Sequence, residues 1–405
     1  MKGTQAQMEE RASSTSEGNA SSDDRSYAVL ALYKFSSLHK TTGLTCDEIK
    51  QRLEDFLRPR FVRGLLLLAN DEGINGTISF PTGNEADIQS FLRNLFLEED
   101  DDHQQTEDDQ YKRFRFSISY SSSHLFHRLK VKIRQEIVSM GVCMKDIIPS
   151  FAAEADEVND STGQAEVGTY VKPGPEWHSL LEDPNCLVID TRNDYEIALG
   201  TFQNASNPST KSFTEFPEWF RQRKEQSLDS AESSEGGVSS NPPATTRAPK
   251  KFDKVAMFCT GGIRCEKASA YCVANLPKDL PVYHLEGGIL GYLNQVPKEE
   301  SRWNGECYVF DQRIAVGHEL KPSKQFTTSC YACRHPLSQQ DLKSSDYVKG
   351  SSCSYCRNDP EKEQKRYRYE HRQKLVELSN EKGRLHIHDP KELDFQGEKR
   401  LTTER

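Results

Sequence analysis

The nine residues CTGGIRCEK, from Cys259 to Lys267, carry the strongest chemical signal in the chain. The preceding VAMF (Val255 to Phe258) is short and apolar, fit for a buried strand, and the following EKASAYCVANL reads as a helix. Cys259 therefore ends a strand, and Thr260, Gly261, Gly262 and Ile263 form a loop that opens a helix. Loop N–H groups can point inward there, and the helix N-terminus adds partial positive charge. Arg264 adds a full charge. Such surroundings lower a thiol's pKa and give a reactive thiolate at neutral pH. The expected chemistry is that of a nucleophilic or persulfide-carrying cysteine. The plainer alternative is a buried structural thiol beside an ordinary turn. Arg264 either stabilises charge on Cys259 or fixes the loop through an acid such as Glu266. Cys265, six residues after Cys259, either resolves a disulfide or persulfide or is simply packed. Asp190 and Arg192 sit at a neighbouring strand's C-terminal end, where ligands gather in open α/β sheets. Bracing the loop is the expected role of Asp190.

Two further patterns carry chemistry. Cys330-x2-Cys333 and Cys353-x2-Cys356 are separated by 19 residues, the spacing of a four-thiolate zinc site. Four Cys leave zinc no open position, so the metal would be structural and would hold together a segment too small for its own core. A [4Fe–4S] cluster fits this spacing less well. In RLKVKIR, Arg128, Lys130, Lys132 and Arg134 alternate with Leu129, Val131 and Ile133. On a strand this puts four cations on one face and the apolar residues on the other. Such a row suits a phosphate backbone. A solvated edge strand guarded by bases has the same pattern.

Bulk properties set the frame. The chain has 405 residues, enough for two or three domains, with 35% hydrophobic residues and a mean hydropathy of −0.76. These values predict long polar segments beside ordinary cores. No apolar run is long enough to cross a bilayer, and the acidic N-terminus resembles neither a signal nor a transit peptide, so a cytoplasmic protein is expected. Eleven cysteines in such a chain read as metal ligands and catalytic or buried thiols. The net charge of −9 speaks against nucleic acid for the chain as a whole, but the acids are concentrated in a few runs.

The expected organisation is a multi-domain α/β protein. Residues 1–26 form a polar N-terminus. Residues 27–150 read β-α-β-β-α-β, a ferredoxin-like (acylphosphatase-like) α+β domain fit for RNA binding, with an acidic insert at 98–110. A linker follows at 151–168. Residues 169–300 alternate strands and helices, as a parallel-sheet α/β domain does, and a Ser/Pro/Gly-rich insert at 226–251 reads as disordered. CYVFDQRIAV looks like a strand within the Cys-rich module at 301–358, and 359–405 reads as a charged helix and tail.

CTGGIR resembles the six-residue active-site loop of the rhodanese family, with Cys259 first and Arg264 last. LVIDTRNDYEIALGTFQNA (Leu187 to Ala205) and VYHLEGGILGYL (Val282 to Leu293) resemble its flanking strands and turns. ANDEGINGTISF, RLKVKIRQEIVSMG, NGECYVFDQRIAVGHEL and the paired C-x-x-C motifs extend the likeness, over roughly residues 27 to 357, to the rhodanese-type tRNA uridine hydroxylases. That resemblance implies oxygen-dependent hydroxylation of uridine 34 of tRNA to 5-hydroxyuridine. Molecular oxygen would be the co-substrate, the anticodon arm would lie on the N-terminal domain and basic strand, and Cys259 would act at the base. The sequence has no flavin or nicotinamide fingerprint. The loop chemistry alone favours a sulfurtransferase that takes sulfur from thiosulfate or a donor protein through a Cys259 persulfide, a reading weakened by the flanking domain and zinc module that simple sulfur transfer does not need. A non-catalytic scaffold is disfavoured by retention of Cys259, both glycines and Arg264.

Overall fold

The computed structural model describes residues 26–96, 113–148, 167–232 and 252–360, together with Tyr367 and His371. The polar N-terminus, the acidic insert, nearly all of the linker and most of the charged tail lie outside the described residues.

The first domain contains strands β1 (Tyr27–Phe35), β2 (Arg63–Ala69), β3 (Gly73–Pro81), β4 (Arg115–Ser121) and β5 (Leu129–Ile133), with helices α1 (Cys46–Leu57) and α2 (Glu85–Leu95). The strand order is β4-β1-β3-β2-β5. The first four strands pair antiparallel in the expected split arrangement, and β5 joins parallel to β2 at the edge. Helix α1 starts at a capping box formed by Thr45 and Glu48 and buries Ile49, Leu53 and Leu57 along one stripe. Helix α2 buries Ile88, Leu92 and Leu95 in the same way. Both stripes pack on Leu30, Leu32, Leu66 and Leu68, so the helices cover one sheet face. The opposite face turns Tyr33 and Phe35 into a core shared with Cys259, Cys265 and Ala268 of the next domain.

That domain is built on a parallel sheet, β6 (Thr169–Val171), β10 (Val282–Leu285), β9 (Lys254–Phe258) and β7 (Cys186–Asp190), in this spatial order. Helices α3 (Pro175–Glu182), α4 (Phe216–Glu232), α5 (Ile263–Asn275) and α6 (Gly288–Gln295) connect or flank these strands. Helix α4 corrects the expected insert, because residues 226–232 continue the helix. The reason is local: the first glycine after Lys211 is Gly236 and the next proline after Pro217 is Pro242, so nothing breaks the helix earlier.

The single strand expected over CYVFDQRIAV is instead a tight hairpin, β12 (Cys307–Tyr308) and β13 (Ala315–Val316). It follows β11 (Trp303–Gly305), which pairs antiparallel with β8 (Gly200–Phe202). Trp303, Cys307, Val309 and Val316 share a core with Trp177, Phe202 and Phe258, so this segment packs on the central sheet. A small hairpin, β14 (Phe326–Ser329) and β15 (Pro336–Ser338), then carries the cysteine knob. No helix among the described residues is long and apolar enough to cross a membrane.

Candidate active site

Cys259 is the first residue beyond β9, and Gly262 immediately precedes α5. The turn between them is held from the next strand–helix connection. Ile289 and Leu290, in the first turn of α6, donate backbone N–H groups to the carbonyls of Cys259 (2.9 Å) and Thr260 (3.0 Å). This close approach needs a glycine: a Cβ on Gly288 would lie 2.5 Å from the Cys259 carbonyl oxygen. Gly262 has φ +102°, and its N–H donates to Cys259 Sγ at 3.1 Å.

The thiol's environment works against its burial. Burial alone would raise the pKa of Cys259. The sulfur–sulfur hydrogen bond with Cys265, the Arg264 charge and the N–H groups of Cys265 and Gly262 outweigh it and lower the pKa to about 6. Cys265 Sγ lies 3.8 Å from Cys259 Sγ and 3.0 Å from the Gly262 carbonyl oxygen. Burial and the neighbouring Cys259 raise the Cys265 thiol well above its ordinary value. The opposite shifts favour ionisation of Cys259 over Cys265.

Arg264 grips the loop through Glu196. Its Nη1 and Nη2 donate to Glu196 Oε1 (2.7 Å) and Oε2 (2.8 Å), and Nη2 also reaches Thr260 Oγ1 at 3.2 Å. The alternative partner, Glu266, is engaged elsewhere. Tyr33 of β1 donates its hydroxyl to Glu266 Oε2 at 2.9 Å. Burial pushes Glu266 up to about 7, with Arg115 and Tyr33 pulling it down. Sequence reasoning missed Tyr33 and its pairing with Glu266. The available signal for Glu196 was N-x-x-E, Asn193 to Glu196, a capping box on the single-turn helix Asp194–Ile197.

Asp190 and Arg192 are both fully buried. Arg192 donates to Asp190 through Nε (2.8 Å) and Nη2 (2.6 Å), and to the Gly200 carbonyl at 2.6 Å. Neither lines the cleft, and together they fasten the end of β7 to β8.

In front of the loop lies a cleft of about 2220 Å³, lined by Cys259, Thr260, Gly261, Ile263 and Arg264 and roofed by the helix-free face of the first domain's sheet. Small-ligand pockets run to roughly 300–1,000 Å³, so this volume fits a macromolecular segment. Nine Lys or Arg side chains line it, among them Arg128, Lys130 and Lys132, against two carboxylates, Glu286 and Asp311. Both carboxylates are already paired, with Arg115 and Arg313. The lining therefore carries net positive charge, although the whole chain is acidic. Along β5, Leu129 and Val131 are buried and Lys130 and Lys132 exposed; Arg134, also exposed, lies at the strand's end and does not line the cleft.

The four cysteines of the knob, Cys330, Cys333, Cys353 and Cys356, have their sulfurs within 4.8 Å of one another. Contacts of 3.7 Å (Cys330–Cys356), 3.6 Å (Cys333–Cys353) and 3.8 Å (Cys353–Cys356) recur among them. A tetrahedron with ~2.3 Å metal–sulfur bonds has edges of about 3.8 Å, so the thiols match the size of a four-thiolate metal site. His335 Nδ1 bonds the Pro336 carbonyl at 2.8 Å, and its ring stacks on Tyr355, outside the four-sulfur group.

A family model described as "UPF0176 acylphosphatase like domain" matches residues 27–137. A protein of Rhizobium leguminosarum bv. trifolii (strain WSM2304), named tRNA uridine(34) hydroxylase, is 40% identical over 361 residues, covering 89% of this chain and 96% of the relative. A protein of the same name from Acaryochloris marina (strain MBIC 11017) is 39% identical with the same coverage. With two-fifths identity along nearly the full length of both relatives, the chain belongs to the tRNA uridine(34) hydroxylase family.

Proposed function

We propose that the protein hydroxylates uridine 34 of tRNA to 5-hydroxyuridine, with dioxygen as co-substrate. The observation that carries this reading is Cys259, its pKa lowered by its surroundings, at the edge of a cleft lined by nine Lys and Arg side chains. A rhodanese-type loop on a parallel sheet presents Cys259, and the ferredoxin-like domain supplies the opposite wall. Hydroxylation inserts one oxygen atom at C5 of the base, and the second atom leaves as water with two electrons and two protons. Closing Cys259 and Cys265 to a disulfide can furnish both electrons and, from a thiolate–thiol pair, one of the two protons, and a thiol reductant reopens it. The second proton can come from Glu266, next to Cys265 in the chain, whose carboxyl burial raises to about 7.

The test is nucleoside mass spectrometry of tRNA from cells lacking this protein. Loss of 5-hydroxyuridine-type nucleosides, restored by the wild-type gene, is the expected result. An unchanged profile rejects the hydroxylase reading in that host. The alternative, transfer of sulfane sulfur from thiosulfate or a donor protein, draws support from the Gly262 N–H that would stabilise a Cys259 persulfide.

The basic row is expected to bind phosphates. Lys130→Ala/Lys132→Ala should weaken tRNA binding across sequences and reduce the slope of log affinity against log salt by about one per lysine. An unchanged slope returns these lysines to the role of edge guards.

Zinc is the metal that four thiolates at this spacing favour, and its role here is structural. Treatment with a strong chelator should release zinc and expose the knob to protease cleavage within 326–358. Full protection of that segment in metal-free protein is the contrary outcome.

A further inference from the structure

Phe310 stands in the β12–β13 turn, 55% exposed, and lines the cleft together with Cys259, Thr260 and Arg264. An apolar ring left in water on a loose loop would need no explanation. This turn is fastened on several sides. Arg313 donates to Asp311 through Nε (2.9 Å) and Nη2 (2.6 Å), with both side chains nearly buried. Its Nη1 reaches across to Ser119 Oγ on β4 at 2.8 Å, which ties the turn to the first domain. The Val309 N–H donates to the Ile314 carbonyl at 2.9 Å and closes the hairpin. Ile314 adopts φ +64°, a strained backbone for a β-branched residue, and such strain gathers at functional sites. Tyr308 packs edge-on against the Phe310 ring, with centroids 5.1 Å apart, and the Arg264 guanidinium lies 5.7 Å from its centroid. An ion pair, a cross-domain hydrogen bond and backbone strain thus converge on presenting one ring to the cleft.

We propose that Phe310 is the stacking platform for the unpaired uracil base, and so a positioning residue for the reaction. The inference rests on the tRNA reading above and deepens it. Cationic grooves that follow a nucleic-acid backbone commonly pair with aromatic faces on which bases stack. An enzyme acting on a base must also hold it out of its own stack. Lys130 and Lys132 supply the phosphate-binding side of such a groove, and Phe310 supplies the face beside the reactive loop.

The test uses full-length Phe310→Ala, Phe310→Tyr and Phe310→Trp proteins with two readouts. On tRNA, Phe310→Ala should lose about ten- to a hundredfold in kcat/KM while Kd for tRNA changes little, and Phe310→Tyr should recover most of the loss. Separately, fluorescence of Phe310→Trp, measured against the wild-type background, should be quenched by an anticodon stem-loop with uridine at the wobble position. A stem-loop abasic at that position should leave it unquenched. Unchanged kcat/KM in Phe310→Ala overturns the proposal, as does quenching that ignores the base or is absent with both stem-loops. If wild-type protein does not hydroxylate tRNA, the functional reading fails, and the quenching comparison still decides whether Phe310 stacks on the base. The same comparison decides if Phe310→Ala is misfolded.

Discussion

Cys259→Ser is expected to abolish 5-hydroxyuridine formation, by more than about a thousandfold, while leaving tRNA affinity nearly unchanged. The serine keeps the size and approximate shape of the side chain but is not ionised at neutral pH. The wild-type thiol is held to about 6 by its bond with Cys265, the Arg264 charge and two N–H groups, against the pull of burial. Ultraviolet thiolate absorbance should therefore titrate near that value in wild type, and this component should vanish in Cys259→Ser. Cys265→Ser separates the two roles of the pair. If the pair supplies the electrons, Cys265→Ser retains the Cys259 thiolate signal and loses multiple turnover. If Cys265 is only packed, turnover persists. Full activity in Cys259→Ser would remove the thiolate from the chemistry altogether.

The largest expected stability effect is at Lys267, on α5 eight residues beyond Cys259. Its ammonium is fully buried, pairs with Glu72, and donates to Glu136 Oε2 (2.6 Å) and the Val138 carbonyl (3.0 Å). Glu72 is also fully buried and accepts the Ile137 N–H. This cluster bolts the β2–β3 turn and the segment after β5 to the helix that carries the active-site loop. Lys267→Met removes the cation and leaves a buried carboxylate uncompensated, a loss of about 3–5 kcal/mol. Thermal denaturation should show it, and Lys267→Met/Glu72→Gln should recover part of the loss because the orphaned charge is gone.

The pH dependence of the single variant has a definite sign. Burial already raises the Glu72 carboxyl above its ordinary value, with Lys267 pulling it down. Without Lys267 the folded-state value rises further. The protonated carboxyl then favours the folded protein, so this contribution is fully present below the ordinary carboxylate range. It is lost as pH rises through the raised folded-state value. A Lys267→Met protein as stable as wild type at neutral pH would show that the cluster is dispensable.

Local patterns made much of this molecule legible. Strands and helices of the first domain follow from apolar periods of two and 3.6, and the strand–loop–helix setting of Cys259 follows from VAMF, two glycines and a helical run. The alternation in RLKVKIR places Lys130 and Lys132 on the exposed side of β5, and the paired C-x2-C spacing brings four sulfurs together. Each of these depends on residues near one another in the chain.

Partner choice was not legible in that way. Arg264 and Glu266 are two apart on α5, and residues i and i+2 of a helix do not share a face. Arg264 therefore turns to Glu196, 68 positions away, and Glu266 turns to Tyr33, 233 positions away. Lys267 meets Glu72 across 195 positions. Phe310 becomes significant only because the hairpin packs on the central sheet and anchors to Ser119. Short-range spacing sets which residues share a strand or helix face. Only the docking of the two sheets decides which of many chemically equivalent acids each buried cation meets, because a charge removed from water must take the partner that lies on the face against it.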